Sequence, residues 1–309
     1  MAKEISLLFP GQGSQFTGML TQDLISSYKD IIDEASDILE IDFISLINDE
    51  NDTKLNQTSY TQPALLLTSY LFFLKYKSLT NIKPTIMAGH SLGEYSALVA
   101  SDSINFYDAL KIVRQRGLLM EAAPKGLMAA IMGIDLNILD EICIQENGLN
   151  NNVVACANLN SPLQTVIAGS DISVKNVCKL AKEAGAKRTI ILNVSVASHC
   201  KLMDESSLLF AKYLNDININ LPSSKVIQNY SANVTEDTVI IKQNLINQLT
   251  NSVKWVDTMN FIASTNSIVI ECGPGKVLQG LAKSNGISDI LSLTNENFDS
   301  KLKELLWIK

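Results

Sequence analysis

Histidine is scarce in this sequence: there are two among 309 residues, at positions 90 and 199. The five cysteines, at 143, 156, 178, 200 and 272, are scattered and never form Cys-x-x-Cys. So few potential ligands, without paired spacing, argue against a zinc site, and no metal is expected. No run of about 18 uncharged apolar residues occurs, so no membrane span is expected. The opening Met1-Ala-Lys-Glu-Ile-Ser6 lacks the charged-then-apolar layout of a signal peptide. An odd cysteine count without that leader predicts reduced thiols and a cytoplasmic protein. Basic residues are outnumbered, 25 Lys and Arg against 32 Asp and Glu, for a net charge of −7. That balance speaks against nucleic acid as the main partner, although a local basic patch could still hold an anionic one. Repeats and long linkers are also missing. Apolar material is plentiful, at 46% of the chain. It suffices for one large domain or two linked ones.

The order of patterns along the chain predicts an α/β fold. Residues 4–9 read as a strand and Pro10-Gly-Gln-Gly-Ser14 as a loop. Amphipathic periodicity predicts helices over about 22–40, 63–79 and 105–122. Between the last two lie a strand at 84–88 and a helix at 92–100. Next come strands at 127–132, 153–158, 165–168 and 188–192, with helices at 135–146 and 171–184. The Leu-Asn-Ser-Pro stretch at 159–162 separates the second and third of these strands. This βαββαβ order is the split arrangement of ferredoxin-like domains and predicts a small inserted subdomain at 126–194. The flanking segments, 1–125 and 195–309, form the larger unit. After His199 a helix is expected, then a helix at 237–250, strands at 267–271 and 290–294, and a helix at 296–307. Strands alternating with helices predict a mainly parallel sheet covered by helices.

Gly89-His-Ser-Leu-Gly93 matches the Gly-x-Ser-x-Gly elbow, a sharp turn that lifts a serine between a strand and a helix. A serine hydroxyl needs a base within hydrogen-bond reach. His90 is the serine's chain neighbour, and its side chain should leave the turn in another direction. By elimination, an imidazole base for Ser91 is His199. Acyl chemistry also requires an oxyanion hole; Leu92 N–H and Gln12 N–H, in the glycine-flanked loop after the first strand, are the candidate donors. A third member of the constellation is open, because no carboxylate sits in a telling motif and a backbone carbonyl could orient His199 instead. Arg114-Gln-Arg116 offers either a solvated helix face or a bidentate clamp for a substrate carboxylate. Two nucleotide-loop lookalikes fail. Gly11-x-Gly13 lacks its third glycine, with Phe16 in that place. Gly273-Pro-Gly-Lys276 lacks both the upstream glycine, which is Ile270, and the Ser or Thr, which is Val277.

Along nearly its whole length the chain resembles the malonyl-CoA:acyl carrier protein transacylases of fatty acid synthesis. The blocks that carry the resemblance are Phe9-Pro-Gly-Gln-Gly-Ser-Gln15, Thr61-Gln-Pro63, Gly89-His-Ser-Leu-Gly-Glu-Tyr-Ser-Ala97 and Arg114-Gln-Arg-Gly117. They continue with Asn158-Leu-Asn-Ser-Pro162, Val194-Ser-Val-Ala-Ser-His-Cys200, Gln248-Leu249, Val253-Lys-Trp255 and Glu271-Cys-Gly-Pro-Gly275. The resemblance implies an α/β-hydrolase-like core with a ferredoxin-like insert. It makes Ser91 the acylated nucleophile, His199 its base, and Gln12 and Leu92 the oxyanion donors. Arg116 would bind the free carboxylate of the malonyl group, and the Gln248 carbonyl would orient His199. Asn158 and Asn160 would face the site from the small subdomain, with Gln62 as a further supporting residue. No cofactor is implied, since the CoA thioester is a substrate and transfer to the carrier thiol is ping-pong. The partners implied are malonyl-CoA and an acyl carrier protein, with neither nucleic acid nor membrane, and the chain is expected to be a monomer. Carrier proteins are acidic, so Lys187, Arg188, Lys276 and Lys283 are candidate docking residues. Bacterial members commonly carry Pro where this chain has Ala197. Val-Ala-Ser-His is also similar to the Tyr-Ala-Ser-His of polyketide acyltransferase domains that choose methylmalonyl units.

Overall fold

The computed structural model describes residues 4–147, 149, 153–194 and 196–307. Ser195, within one of the blocks above, and the first three residues lie outside these. The strands are β1 (Ile5–Phe9), β2 (Ile86–Gly89), β3 (Leu127–Met132), β4 (Val154–Ser161), β5 (Gln164–Gly169), β6 (Arg188–Ile191), β7 (Lys225–Ile227), β8 (Ile268–Glu271) and β9 (Ile290–Ser292). They form two sheets, a parallel one ordered β7-β2-β1-β8-β9 and an antiparallel one ordered β4-β5-β3-β6. No described helix is long and apolar enough to cross a membrane.

The parallel sheet is buried on both faces, which explains why its strands read as continuous apolar runs rather than alternating ones. Ile5, Leu7 and Phe9 of β1 join Met87 and Ile270 in the larger core. Helices Thr58–Leu79, Gly93–Ala100 and Phe106–Ala122 cover that side. Leu8 points the other way, with Ile86, Ala88 and Val269, against Trp255, Met259 and Leu278. The period-two alternation of a strand assigns these side chains to the two layers. β1 lies centrally, flanked by β2 on one side and β8 on the other. The loops after β1 and β2 therefore emerge side by side at the carboxyl edge of the sheet, where open α/β sheets bind ligands.

In the antiparallel sheet, Ala129, Ile131, Cys156 and Ile167 face helices Leu136–Asn147 and Asp171–Glu183. Met128, Ala130, Val166 and Ala168 face the opposite way, onto Ala197 and Cys200. That second face thus backs the segment that carries His199.

Several boundaries differ from the sequence reading. The helix expected over 22–40 is two, Gln22–Ser27 and Lys29–Leu39, broken at Tyr28 with φ −134°; the Ser26-Ser27 pair before it is a weak helix former. The helix expected from 63 starts at Thr58 and carries Pro63 inside it. Its added turn is tied down by Thr61 Oγ1, which donates to the Leu55 and Gln57 carbonyls at 2.6 and 2.9 Å. β4 runs on through Ser161, so the expected Leu-Asn-Ser-Pro separator shrinks to a turn at Pro162 and Leu163. Short elements at Phe43–Asn48, Lys225–Ile227, Trp255–Ala263 and Val277–Ser284 escaped the sequence reading.

Candidate active site

Ser91 sits at φ +50°, the left-handed conformation of a sharp strand-to-helix turn. A non-glycine residue there carries about 1–3 kcal/mol of strain, which the surroundings must hold in place. The flanking glycines are required by close approach. A Cβ on Gly89 would lie 1.9 Å from the Gly93 carbonyl carbon and oxygen, and one on Gly93 would lie 2.1 Å from Phe9 O. His90 leaves the turn toward Asn160 Oδ1, 2.8 Å from its Nε2, with its ring 5.1 Å from that of Trp255. It is engaged away from the serine hydroxyl, as the sequence required.

Ser91 Oγ lies 2.8 Å from His199 Nε2. His199 Nδ1 lies 2.6 Å from the Gln248 carbonyl oxygen. A carbonyl can only accept, so Nδ1 carries the proton and Nε2 presents its lone pair to the serine. Gln248 follows helix Thr238–Asn247 as its C-cap, where backbone carbonyls lack intrahelical donors. Burial, and then the nearby Arg116 charge, pushes the His199 pKa down to about 3. The imidazole is therefore neutral at ordinary pH and able to accept a proton.

Arg116 is buried on helix Phe106–Ala122. Gly117 beside it lets that helix approach helix Thr58–Leu79, since a Cβ there would meet Ser59 Cα at 2.6 Å. The guanidinium donates to Gln62 Oε1 at 2.8 Å and to Gln248 Oε1 at 3.0 Å, and reaches Ser91 Oγ at 3.5 Å. These partners are all neutral, and Arg116 Nε has no partner among the described residues. Burial pulls its pKa down, yet a guanidinium stays charged near neutrality. A buried cation held by amide oxygens beside the serine hydroxyl is suited to an incoming carboxylate. Arg114 points elsewhere, with its guanidinium over the Tyr60 ring at 4.1 Å.

The cleft above Ser91 is lined by Gln12, Leu92, Arg116, Met120, Met128, Asn158, Leu192, Val196, Ser198 and His199, among others. Gln12 occupies a turn closed by Ser14 N–H donating to Gly11 O at 3.2 Å, with Gly13 at φ +100°. Leu92 N-caps the elbow helix. Neither the Gln12 nor the Leu92 N–H has an acceptor among the described residues. Both stand free at the cleft that holds Ser91.

The two asparagines diverge. The register of β4 against β5 slips between Cys156 and Asn158. Such a bulge reverses the face on which later residues point. Asn158 consequently pairs with Val166 and lines the cleft, with Oδ1 unpartnered among the described residues. Asn160 is not among the residues that line the cleft directly but stands behind His90, which does. It sits within a second slip, between Leu159 and Ser161, holds His90 through its side chain, and accepts from Asn285 Nδ2 through its backbone at 2.8 Å. Ala197 is fully buried against the antiparallel sheet and does not line the cleft. The four basic candidates are exposed but separated. Lys187 and Arg188 lie at the start of edge strand β6, whereas Lys276 and Lys283 flank and end the helix beside the opposite edge, β4.

Two buried residues of the site went unremarked in the sequence. Glu94 Oε2 accepts from Gln248 Nε2 at 2.6 Å and from Asn229 N–H at 3.0 Å. Desolvation raises its pKa to about 7. A lone carboxylate in the apolar helix Gly93–Ala100 was a readable signal, because such a group requires buried partners. Asn229, just beyond β7, had no comparable signal.

A parallel sheet with a serine elbow at its carboxyl edge, a neutral imidazole against that serine and an adjacent arginine defines a class. Residues 7–292 match the acyl transferase domain family. The chain is 42% identical over 289 residues to the malonyl CoA-acyl carrier protein transacylase of Haemophilus influenzae, spanning 91% of this chain and 92% of that protein. The structure of the malonyl CoA-acyl carrier protein transacylase of Coxiella burnetii superposes with a TM-score of 0.92 at 36% identity, covering 99% of this chain and 98% of that one. A malonyl-transacylase in complex with its type II polyketide synthase acyl-carrier protein gives a TM-score of 0.91 at 36% identity, covering 97% and 99%. The chain belongs to the malonyl CoA-acyl carrier protein transacylase family.

Proposed function

We propose that this chain transfers a malonyl group from malonyl-CoA to the phosphopantetheine thiol of an acyl carrier protein, supplying fatty acid elongation. The observation that carries the reading is the 2.8 Å contact of Ser91 Oγ with His199 Nε2, with the Arg116 guanidinium 3.5 Å from the same oxygen. Ser91 Oγ attacks the thioester carbonyl while its proton passes to His199 Nε2. The tetrahedral oxyanion is held by Gln12 and Leu92 N–H, the latter at the positive end of the elbow helix. The C–S bond breaks, and His199 returns the proton to the departing CoA sulfur. In the second half the carrier thiol gives its proton to His199 as its sulfur attacks the Ser91 ester. The tetrahedral intermediate collapses and the proton returns to Ser91 Oγ. Arg116, held by Gln62 and Gln248, binds the malonyl carboxylate in both halves. No cofactor enters these steps.

The same reading extends to architecture. The order βαββαβ with strands arranged β4-β5-β3-β6 supports a ferredoxin-like subdomain at 126–194. Segments 1–125 and 195–309 then make an α/β-hydrolase-like core. The reading also takes the chain to act as a monomer in the cytoplasm. Of the two exposed basic pairs, Lys276 and Lys283 are the better docking candidates, because their helix is tied through Asn285 to Asn160 beside the site.

Intact-protein mass spectrometry after brief mixing with malonyl-, methylmalonyl- or acetyl-CoA, without acceptor, tests the proposal. A malonyl adduct on Ser91, stable in water and discharged by acyl carrier protein, is expected. Steady CoA release without an adduct would indicate a hydrolase and overturn it. A preference for methylmalonyl would move the enzyme to polyketide supply.

A further inference from the structure

We propose that Asn229 is a positioning residue for acyl transfer, clasping the serine elbow so that Ser91 stays in its left-handed conformation and Leu92 N–H stays free. The proposal rests on the reading of Ser91 as the nucleophile. Its basis is a set of bonds that converge on one buried side chain. Asn229 Oδ1 accepts from Ser91 N–H at 2.6 Å, and Asn229 Nδ2 donates to Gly89 O at 2.7 Å. One amide group thus bridges the residue before His90 and the residue after it, closing a ring across the turn. Asn229 is in turn fixed from behind, since its own N–H donates to Glu94 Oε2 at 3.0 Å. The same carboxylate oxygen takes Gln248 Nε2 at 2.6 Å, and that amide also donates to Ser91 O at 3.1 Å. Both backbone polar groups of Ser91 are therefore held by side chains from distant segments.

The arrangement has a directional consequence. Two successive N–H groups at an elbow, those of Ser91 and Leu92, could each serve an oxyanion or be lost to a local acceptor. Asn229 occupies the first, and the second has no acceptor among the described residues and opens on the cleft. Asparagine suits the task because its amide presents an acceptor and a donor about 2.3 Å apart, without charge. An acceptor alone would leave the buried Gly89 carbonyl unpaired. Proximity effects make small displacements costly, so a loosened elbow should slow chemistry more than it weakens binding.

The test is single-turnover acylation by malonyl-CoA, following the amount and rate of Ser91 adduct across pH 5.5–8.5. In Asn229→Ala, the rate constant should fall about 10- to 100-fold while the apparent affinity for malonyl-CoA stays within about threefold of wild type. Asn229→Asp supplies a second reading. A protonated carboxyl can accept from Ser91 N–H and donate to Gly89 O, whereas a carboxylate cannot donate. Its acylation rate should therefore drop steeply as pH rises, relative to wild type, and recover when pH is lowered again. A folded Asn229→Ala enzyme that acylates within twofold of wild type would overturn the proposal. If the alanine variant does not fold, an aspartate variant whose pH profile parallels wild type would overturn it equally. Absence of a Ser91 adduct in wild type would instead sink the reading of Ser91 on which the proposal rests.

Discussion

His199 Nδ1 donates to the backbone carbonyl of Gln248 at 2.6 Å, so the group that orients the base is neutral. A carboxylate there would stabilise the imidazolium by charge; a carbonyl does so only as a dipole, aided by the C-terminal end of its helix. The imidazole is accordingly poor at holding a proton, with its pKa pushed down to about 3 by burial first and by Arg116 second. The acid limb of kcat/KM should consequently lie well below the ordinary imidazole value of 6.5. A pH-rate profile with malonyl-CoA that breaks near 6.5 in the free enzyme would contradict this. His199→Ala should slow acylation by about 10³-fold or more, read as the burst rate in rapid-quench experiments.

Arg116 tests the acyl preference. Removing it as Arg116→Ala should lower kcat/KM for malonyl-CoA by about 10²-fold or more, a charge-assisted bidentate contact being lost. Acetyl-CoA, with no carboxylate to bind, should lose far less, so the malonyl-to-acetyl ratio collapses. Arg116→Lys should rescue little, because an ammonium cannot reproduce the planar fork that reaches both Gln62 and Gln248. An unchanged ratio in competition assays would remove Arg116 from the role of clamp.

The elbow glycines should be intolerant of even one carbon. A Cβ at Gly93 would stand 2.1 Å from Phe9 O, a backbone atom of the central strand that has little room to yield. Gly93→Ala should lower stability by about 2 kcal/mol or more and separate Ser91 from His199. Chemical denaturation and Ser91 labelling measure the two effects; a stable, fully labelled variant would refute the packing argument.

Stability should depend on pH in opposed ways. His199 has a folded pKa of about 3 against an ordinary 6.5. The unfolded chain binds the extra proton in that window, so stability is lost as pH falls through it. Glu94 and Glu271 are both raised by desolvation, from 4.5 to about 7. The folded chain binds the extra protons there, so their contribution is full below 4.5 and is lost as pH rises toward 7. Burial lowers the His90 pKa as well, so in the overlap two carboxyls face two imidazoles and their slopes oppose one another. Glu94→Gln removes one of the two carboxyl contributions, so relative to wild type its denaturant midpoints should gain stability as pH rises from 4.5 to 7.

Much of this site could be read locally. The elbow is a matter of adjacent residues: small groups at 89 and 93, a serine between them, and an apolar strand and helix on either side. Two histidines left one candidate base, and the loop at Gly11-Gln-Gly13 announced its own exposed backbone. The βαββαβ succession was legible because each element is long enough to show its period. Less legible were short elements such as Lys225–Ile227, and the bulges of β4. One extra residue there decides whether Asn158 meets the cleft or the helices, and no pattern in the strand marks it.

The sequence by itself singled out Ser91, through its elbow motif, and His199, through the scarcity of histidine, but left Arg116 between a solvated helix face and a clamp. Only the tertiary structure decided what holds them. Asn229 meets Ser91 across 138 positions, and Gln248 meets Glu94 across 154. Those pairings exist because parallel strand order brings β7 beside β2 and places the end of helix Thr238–Asn247 at the same sheet edge. Hydrogen-bond partners so far apart in sequence are selected by topology, and topology is a property of the assembled sheet rather than of any segment.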